Sequence, residues 1–337
     1  MEKNNTFSGE HPVVKRTGCS SLSVVIATYN RGEALRLTLE AMTGVRHSDL
    51  RVEWIVVDNN SSDHSAAIIR SFSGRLPLRH LHESRPGKNC ALNKALAECQ
   101  LGDLVVFTDD DVTPEPRWLE EVVATSKRWP ACCVFGGRII PEFVGGSAPV
   151  WANTRDLLTF AFCLHDLGEE TTYPKGRLPF GPNFWVRRLI FEQGYRYRED
   201  VGPHPTNRKM GSETTFLMEL QRAGFGMVYA PSVLVYHRIS PAQCSLAALR
   251  RRALSYGKGR VHFGGLPNRR LLALSRGLWT CRQVVRMGSG SLCWLLSWVV
   301  FPSGRRARLT LEALYQIGMS MEALRWVGRY GDTAGSR

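Results

Sequence analysis

The sequence predicts an α/β fold, a mostly parallel sheet flanked by helices, followed by a basic and mainly helical C-terminal extension. Three observations predict it. Short apolar runs alternate with helical patterns from residue 22 to residue 112. Each apolar run ends in a polar loop, and arginines greatly outnumber acids after residue 240. Because parallel strands end at one edge of a sheet, the polar loops should lie together there, where such folds bind ligands.

The elements of the first half follow in regular order. Residues 22–27 predict the first strand, and the next helix places Leu35, Leu39 and Met42 on one face. The remaining elements are a strand at 52–57, a helix at 65–72, a weaker strand at 78–82, a helix carrying Ala91, Leu92, Ala95 and Leu96, and a strand at 104–107.

Beyond Pro130 the alternation is less regular. A strand is predicted at 134–140, although Gly136 and Gly137 interrupt it, and 144–149 is a loop rich in Gly and Pro. The remaining segments are an ordered stretch at 180–188, a helix at 211–223 and a strand at 228–237.

Three consecutive aspartates, Asp109, Asp110 and Asp111, follow the strand predicted at 104–107. Adjacent carboxylates repel one another unless a cation or water lies among them, and divalent cations that carry a diphosphate are held by such oxygens. The alternative is a polar turn in which one aspartate caps a helix and the others face water. The place of the triplet at the ligand-binding edge of the sheet favours a cation site.

Composition narrows the class of protein. The 337 residues include 44 Lys and Arg against 30 Asp and Glu, a formal charge of +14, which indicates a polyanionic partner. The nine cysteines form no zinc-binding pattern and predict reduced thiols, and the polar first twenty residues predict no signal peptide. These features predict a cytoplasmic protein, with peripheral contact to the inner face of the cell membrane as an open question.

Four loops and three later segments, taken together, resemble family 2 glycosyltransferases, which are inverting enzymes with the GT-A fold. The resemblance covers about residues 20–240 and predicts a GT-A domain at 19–240. Composition adds a flexible segment at 1–18 and a basic helical region at 241–337. The matching segments are SVVIATYNR (23–31), VVDNNSSD (56–63), RPGKNCALNKAL (85–96), FTDDDV (107–112), GPNFWVRR (181–188), GSETTFLMEL (211–220) and YAPSVLVYHR (229–238).

The resemblance implies a pocket for a nucleoside-diphosphate sugar, with a UDP-sugar favoured. Thr28, Tyr29 and Arg31 would line the nucleotide pocket, and Asp58 would accept hydrogen bonds from the base or ribose. Lys88, near a helix start, would reach the diphosphate. The alternative to ligand binding is an Asx turn for Asp58 and a solvent-exposed side chain for Lys88.

The resemblance also implies a metal cofactor, Mg²⁺ or Mn²⁺, that would bridge the diphosphate oxygens. Asp109 and Asp111 match the DxD pair of the family, and Asp109 and Asp110 would also face the nucleotide sugar. Either Asp110 or Asp111 would contact the metal directly, and the sequence leaves that choice open. His237 resembles a histidine that some relatives use as a metal ligand, with a structural role as the alternative.

Inverting transfer needs a general base for the acceptor hydroxyl. The family places an acid in a segment usually similar to Gly-Glu-Asp-Thr, and this chain has Glu213 at the position where aspartate is common. The alternative is a carboxylate that stabilises the helix dipole, with Ser212 as N-cap. Asp200 and Glu219 are the next candidates for the base. Asn183 and Trp185 would help to shape the pocket for a saccharide or lipid-linked acceptor.

The C-terminal region combines arginines with a Trp-rich apolar stretch at 292–301. This composition suits a segment in the interface of an anionic membrane, and the stretch is about half as long as a membrane-spanning helix. The alternative is a pair of helices packed on the catalytic core.

Two other functions compete with sugar transfer. A nucleotidyltransferase would share the sheet and the metal, but its first loop should be rich in glycine, whereas 28–32 holds only Gly32. A non-catalytic nucleic-acid-binding protein would explain the positive charge. The sequence shows no recognised nucleic-acid-binding motif, so no nucleic-acid partner is expected.

Overall fold

The computed structural model describes residues 20–263 except 48 and 207, five residues between 285 and 292, and residues 303–332. These residues form one mixed sheet with helices on both faces. The strands are β1 (Ser21–Thr28), β2 (Arg51–Asp58), β3 (Leu78–His82), β4 (Leu104–Thr108), β5 (Val112–Pro114), β6 (Val134–Phe143), β7 (Thr171–Thr172), β8 (Phe184–Arg187) and β9 (Met227–Ile239). The helices are α1 (Gly32–Met42), α2 (Ser65–Ser71), α3 (Lys88–Glu98), α4 (Trp118–Arg128), α5 (Arg155–Phe162), α6 (Leu189–Glu192), α7 (Ser212–Arg222), α8 (Leu246–Phe263) and α9 (Ser303–Asp332).

The first half of the sheet is parallel, as the sequence predicted. Its strands lie in the order β3-β2-β1-β4, so the polar loops after β1, β2 and β4 meet at one edge. Alternate residues of β1 face opposite helical layers: Val24 and Ile26 pack with α1, α2 and α4, whereas Val25 packs with α3 and α7. Both faces are covered, which explains why the strand is apolar throughout rather than alternating.

The second half of the sheet is mixed. β8 is antiparallel to both β4 and β6, while β6 and β9 are parallel with a register shift between Gly137 and Arg138. The sequence analysis gave no separate strands for β5 and β7, which have three and two residues and are too short to carry a periodic pattern. β5 matters for the site, because its pairing places Val112 opposite His237 and so brings the aspartate triplet beside β9.

The C-terminal helices α8 and α9 pack on the sheet domain. Glycines permit close approach: a Cβ on Gly257 would lie 2.0 Å from the carbonyl oxygen of Tyr315 on α9. Buried ion pairs hold α9 as well, since Glu322 of α9 lies 3.1 Å from His262 of α8 and 3.0 Å from Lys209 of the loop before α7. This packing agrees with the packed-helix alternative for these elements, while the domain boundaries themselves stay a prediction.

Replacement of Gly259 by alanine should destabilise the protein by about 1–3 kcal/mol, the usual cost of overpacking. A Cβ at this position would lie 1.6 Å from the carbonyl oxygen of Met210, so α8 must move away from the loop before α7. Alanine favours a helix more than glycine does, so any loss of stability is due to the steric contact with Met210. Urea unfolding would measure it, with Gly288→Ala as control, because Gly288 is helical and has open space around it. Equal stability of the two variants would contradict the close packing of α8.

The stretch at 292–301, which the sequence analysis connected with a membrane interface, lies outside the described residues apart from Leu292. Within the described part of the chain, every helix is too short or too polar to span a bilayer. Interfacial contact with an anionic membrane stays a prediction.

Candidate active site

A cavity of about 570 Å³ opens at the edge of the sheet where β1 and β4 end. Nine of the residues predicted from the sequence line it: Thr28, Tyr29, Arg31, Lys88, Asp109, Asp110, Asp111, Glu213 and His237. These residues come from five separate segments of the chain. The topology therefore brings together most of the predicted site.

The aspartate triplet forms the tight turn between β4 and β5. Asp110 and Asp111 are each 4% exposed, so the alternative in which they face water does not apply. The Thr38 hydroxyl donates to the Asp110 carbonyl at 2.8 Å, and the Arg238 amide donates to the Asp111 carbonyl at 2.8 Å. The turn is thus held by α1 and β9, and its carboxylates are positioned before any ligand binds.

The two buried aspartates differ in how many of their carboxylate oxygens have a hydrogen-bond partner. The Asp110 carboxylate accepts a hydrogen bond from the Thr28 hydroxyl at 2.7 Å and pairs with Arg31 at 2.9 Å. Arg31 also pairs with one oxygen of Asp111 at 2.6 Å. The other oxygen, Asp111 Oδ1, accepts no hydrogen bond of good geometry from any described residue. His237 Nε2 lies 3.3 Å from this oxygen.

The surroundings shift the pKa values of Asp110 and Asp111 in opposite directions. Burial raises the pKa of Asp110 to about 6, although Arg31 opposes the shift. Burial acts in the same direction on Asp111, but the charges of His237 and Arg31 outweigh it and hold the pKa of Asp111 below its ordinary value. Asp111 is therefore the stronger candidate for the carboxylate that meets a cation.

His237 is oriented for ligation. Its Nδ1 lies 3.0 Å from the carbonyl oxygen of Phe162, so Nδ1 carries a proton and donates it there. Burial would lower the pKa of His237, but Asp111 outweighs it and raises the pKa, so a bound cation would replace the proton on Nε2. Asp111 Oδ1 and His237 Nε2 thus face each other as two adjacent ligand atoms, which fits a divalent metal ion. Among the described residues no third His, Cys, Asp or Glu completes such a group. Diphosphate oxygens and water would supply the other ligands, as is usual for Mg²⁺.

Glu213 and Asp109 share one lysine. Lys88 Nζ lies 2.6 Å from Asp109 Oδ1 and 2.9 Å from Glu213 Oε1, and its side chain is only 17% exposed, so it is not a solvated lysine. Gly87, with φ 124°, precedes Lys88 at the N-terminus of α3. Burial would raise the pKa of Glu213, but the Lys88 charge outweighs it and lowers the pKa. Glu213 is therefore ionised at neutral pH.

The start of α7 differs from the alternative in which Ser212 is the N-cap of the helix. Gly211 takes the N-cap position, and the Ser212 hydroxyl instead donates a hydrogen bond to Asn89 Oδ1. Glu213 lies in the first turn and lines the cavity. The other two acids considered for the base do not line it: Asp200 pairs with Arg198 at 2.7 Å, and Glu219 is exposed on α7.

Three predicted site residues lie outside the cavity lining. Asp58 is buried and accepts a hydrogen bond from the Ser61 amide at 2.9 Å, a local bond one residue longer than that of the Asx-turn alternative. Asn183 is fully buried and bonds to the Trp118 ring nitrogen and to two backbone carbonyls. Trp185 is fully buried and stacks on a core phenylalanine. The structure therefore gives Asn183 and Trp185 positions in the core behind the pocket.

Sequence reasoning missed part of the site wall. Arg208 from the loop before α7 and Arg252 and Tyr256 from α8 also line the cavity. The only sequence signal was the basic run around SYGKGR at 255–260, which does not indicate which side of the helix faces the site.

The sequence matches the family model "Glycosyl transferase family 2" over residues 23–194, just over half of the chain. The chain is 26% identical to glycosyltransferase AglE of Haloferax volcanii over 77% of its own length and 79% of that protein. It is also 26% identical to the succinoglycan biosynthesis protein ExoM of Rhizobium meliloti, over 92% of its length and 96% of that protein.

Among solved structures, the fold is similar to that of the mannosyltransferase PcManGT from Pyrobaculum calidifontis. The TM-score is 0.57, with 17% sequence identity, over 90% of this chain and 86% of that one. This likeness confirms the predicted GT-A architecture. With the match to the family model over more than half of the chain, it follows that the protein is a glycosyltransferase and belongs to family 2.

Proposed function

We propose that this enzyme transfers a sugar, with inversion, from a nucleoside-diphosphate sugar to a hydroxyl group of a saccharide or lipid-linked acceptor. One observation carries the proposal: a single cavity holds two adjacent metal-ligand atoms, two cations suited to a diphosphate, and an ionised glutamate. PcManGT, which shares the fold, was solved in complex with GDP-Man and Mn²⁺. The name of ExoM refers to succinoglycan biosynthesis, which agrees with a saccharide acceptor.

Asp111 and His237 would hold Mg²⁺ or Mn²⁺, with Asp109 at the edge of the same group. When bound, the metal would neutralise charge on the diphosphate oxygens and so stabilise the leaving nucleotide. Arg31 now bridges Asp110 and Asp111 and would be available to the donor once Asp111 binds a cation. Thr28 and Tyr29 would form the nucleotide side of the pocket, where Tyr29 is 41% exposed and free to pack on a base.

Lys88 would connect donor binding with the base. In the unliganded site it holds both Asp109 and Glu213. A diphosphate that attracts its ammonium would weaken the ion pair with Glu213, and the pKa of Glu213 would rise toward the range of an effective base. Glu213 would then accept the proton of the acceptor hydroxyl as that oxygen attacks the anomeric carbon and the nucleoside diphosphate leaves from the opposite face.

A panel of sugar nucleotides, including UDP-sugars and GDP-sugars, would test this function by thermal shift with and without Mn²⁺. We expect one donor to raise the melting temperature in the presence of the metal. Incubation with that donor should release nucleoside diphosphate. Release of pyrophosphate instead would indicate a nucleotidyltransferase, and a panel without any metal-dependent shift would contradict the proposal.

Replacement of Gly181 by alanine should lower the transfer rate about tenfold or more with little loss of stability. A Cβ at Gly181 would lie 2.5 Å from Glu213 Oε1, and the flexible carboxylate would move to avoid it. A shift of about 1 Å in a catalytic group can cost about 10²-fold in rate. The measurement is transfer rate together with urea unfolding, and Gly146→Ala, which has open space around it, is the control. Normal transfer by Gly181→Ala would argue against Glu213 as the base.

A further inference from the structure

The C-terminal helix α8 forms one wall of the active-site cavity. Arg252 and Tyr256 of α8 line it together with Arg208, which lies in the loop that α8 contacts. The Met210 amide of this loop donates to the Ser255 carbonyl of α8 at 3.0 Å, so the loop and the helix are held together. All three side chains lie outside residues 23–194, the part that matches the family model.

Arg208 and Arg252 differ from the other cations of the cavity. Arg31 and Lys88 each pair with two carboxylates. Neither Arg208 nor Arg252 has a carboxylate within ion-pair distance among the described residues. Arg208 donates to the Met210 sulfur at 3.5 Å, and Arg252 donates to the Ala161 carbonyl, so both keep further N–H donors.

The two guanidinium groups line the same cavity, so their positive charges repel each other. The Arg208 side chain keeps contact with solvent, yet partial desolvation lowers its pKa and the charge of Arg252 lowers it further. Two neighbouring cations that line one cavity without acidic partners are stabilised by an anion between them, and arginine binds phosphate through paired hydrogen bonds. Tyr256 adds a hydroxyl donor, because burial raises its pKa and keeps it protonated.

These side chains lie on the Glu213 side of the cavity. Arg208 lies in the loop that leads directly into the first turn of α7, where Glu213 is placed, and Met210 of that loop is bonded to Ser255, the neighbour of Tyr256. The groups suited to the donor diphosphate, Lys88 and Arg31, instead pair with the aspartate triplet. Because the base must contact the acceptor hydroxyl, the region beyond Glu213 belongs to the acceptor.

We propose that Arg208, Arg252 and Tyr256 form a subsite for a phosphoryl group carried by the acceptor. The acceptor class is thus a phosphate-bearing or diphosphate-bearing molecule, rather than a neutral saccharide. The inference rests on the proposed function, since it takes Glu213 as the base that marks the acceptor side.

Calorimetric titration of the full chain with phenyl phosphate would test this subsite. The titration would be done on the protein alone and on the protein saturated with Mn²⁺ and the nucleoside diphosphate of the donor identified above. We expect phenyl phosphate to bind in both states. Arg252→Gln and Arg208→Gln should each weaken its binding tenfold or more while the affinity for nucleoside diphosphate stays unchanged. Arg251→Gln removes the same charge from an exposed position of α8 and should have no effect.

Other results would overturn the subsite. If nucleoside diphosphate displaces phenyl phosphate, or if the Arg252 and Arg208 variants lose affinity for nucleoside diphosphate instead, the arginines serve the donor. An equal effect of Arg251→Gln would show unspecific attraction by a basic helix. Phenyl phosphate that does not bind, beside normal binding of nucleoside diphosphate, would overturn the subsite and leave the proposed function standing. Binding of phenyl phosphate without binding of any nucleoside diphosphate would contradict the proposed donor and leave the anion site standing.

Discussion

Glu213→Gln is expected to lower sugar transfer by about 10²-fold or more while donor binding persists. Glutamine keeps the size of the side chain and an oxygen for Lys88 but cannot accept a proton. Glu213 lines the cavity, is ionised through Lys88, and lies in the first turn of α7. If it served only the helix dipole, the same change would cost at most about 1 kcal/mol of stability and transfer would continue.

Matched variants separate the two roles of Glu213. Glu219→Gln removes a carboxylate from an exposed position of the same helix and should leave transfer unchanged. Glu213→Asp keeps a carboxylate, one methylene shorter, and should retain partial activity. Transfer and donor affinity would be measured for each variant. A Glu213→Gln enzyme with near-normal turnover would mean that the base is another group.

Asp111→Asn is expected to remove the effect of Mn²⁺ on nucleoside diphosphate binding. The change keeps the shape of the side chain, but a neutral amide is a much weaker ligand than the free Asp111 Oδ1 carboxylate oxygen. Since loss of an outer partner of a metal ligand costs about 10–100-fold in affinity, loss of the ligand itself should cost more. Binding with and without Mn²⁺ would measure it.

Asp110→Asn is the matched control for Asp111, because its carboxylate is already engaged by Thr28 and Arg31. We expect this variant to keep most of the metal dependence. Both changes disturb buried ion pairs with Arg31, so urea unfolding must show that each variant is folded. An Asp111→Asn protein that keeps full Mn²⁺ dependence, beside an Asp110→Asn protein that loses it, would reverse the assignment of the two aspartates.

The sequence by itself determined the parallel half of the fold and most of the candidate site. Strand period and loop chemistry are local properties, so the strands β1, β2 and β4 and the loops after them could be predicted from short windows. Asp109, Asp110, Asp111 and Lys88 could be grouped because strands of one parallel sheet end at the same edge.

Only the tertiary structure decided which predicted side chains reach the cavity. Asn183 and Trp185 carry polar groups, yet tertiary packing gives those groups buried partners far along the chain, such as Trp118 and Ser126. Asp111 differs from Asp110 only through neighbours such as His237, some 126 residues later, that the turn brings near. The role of α8 depends on which of its faces meets the loop before α7. Each of these outcomes depends on contacts between distant segments, which no local pattern encodes.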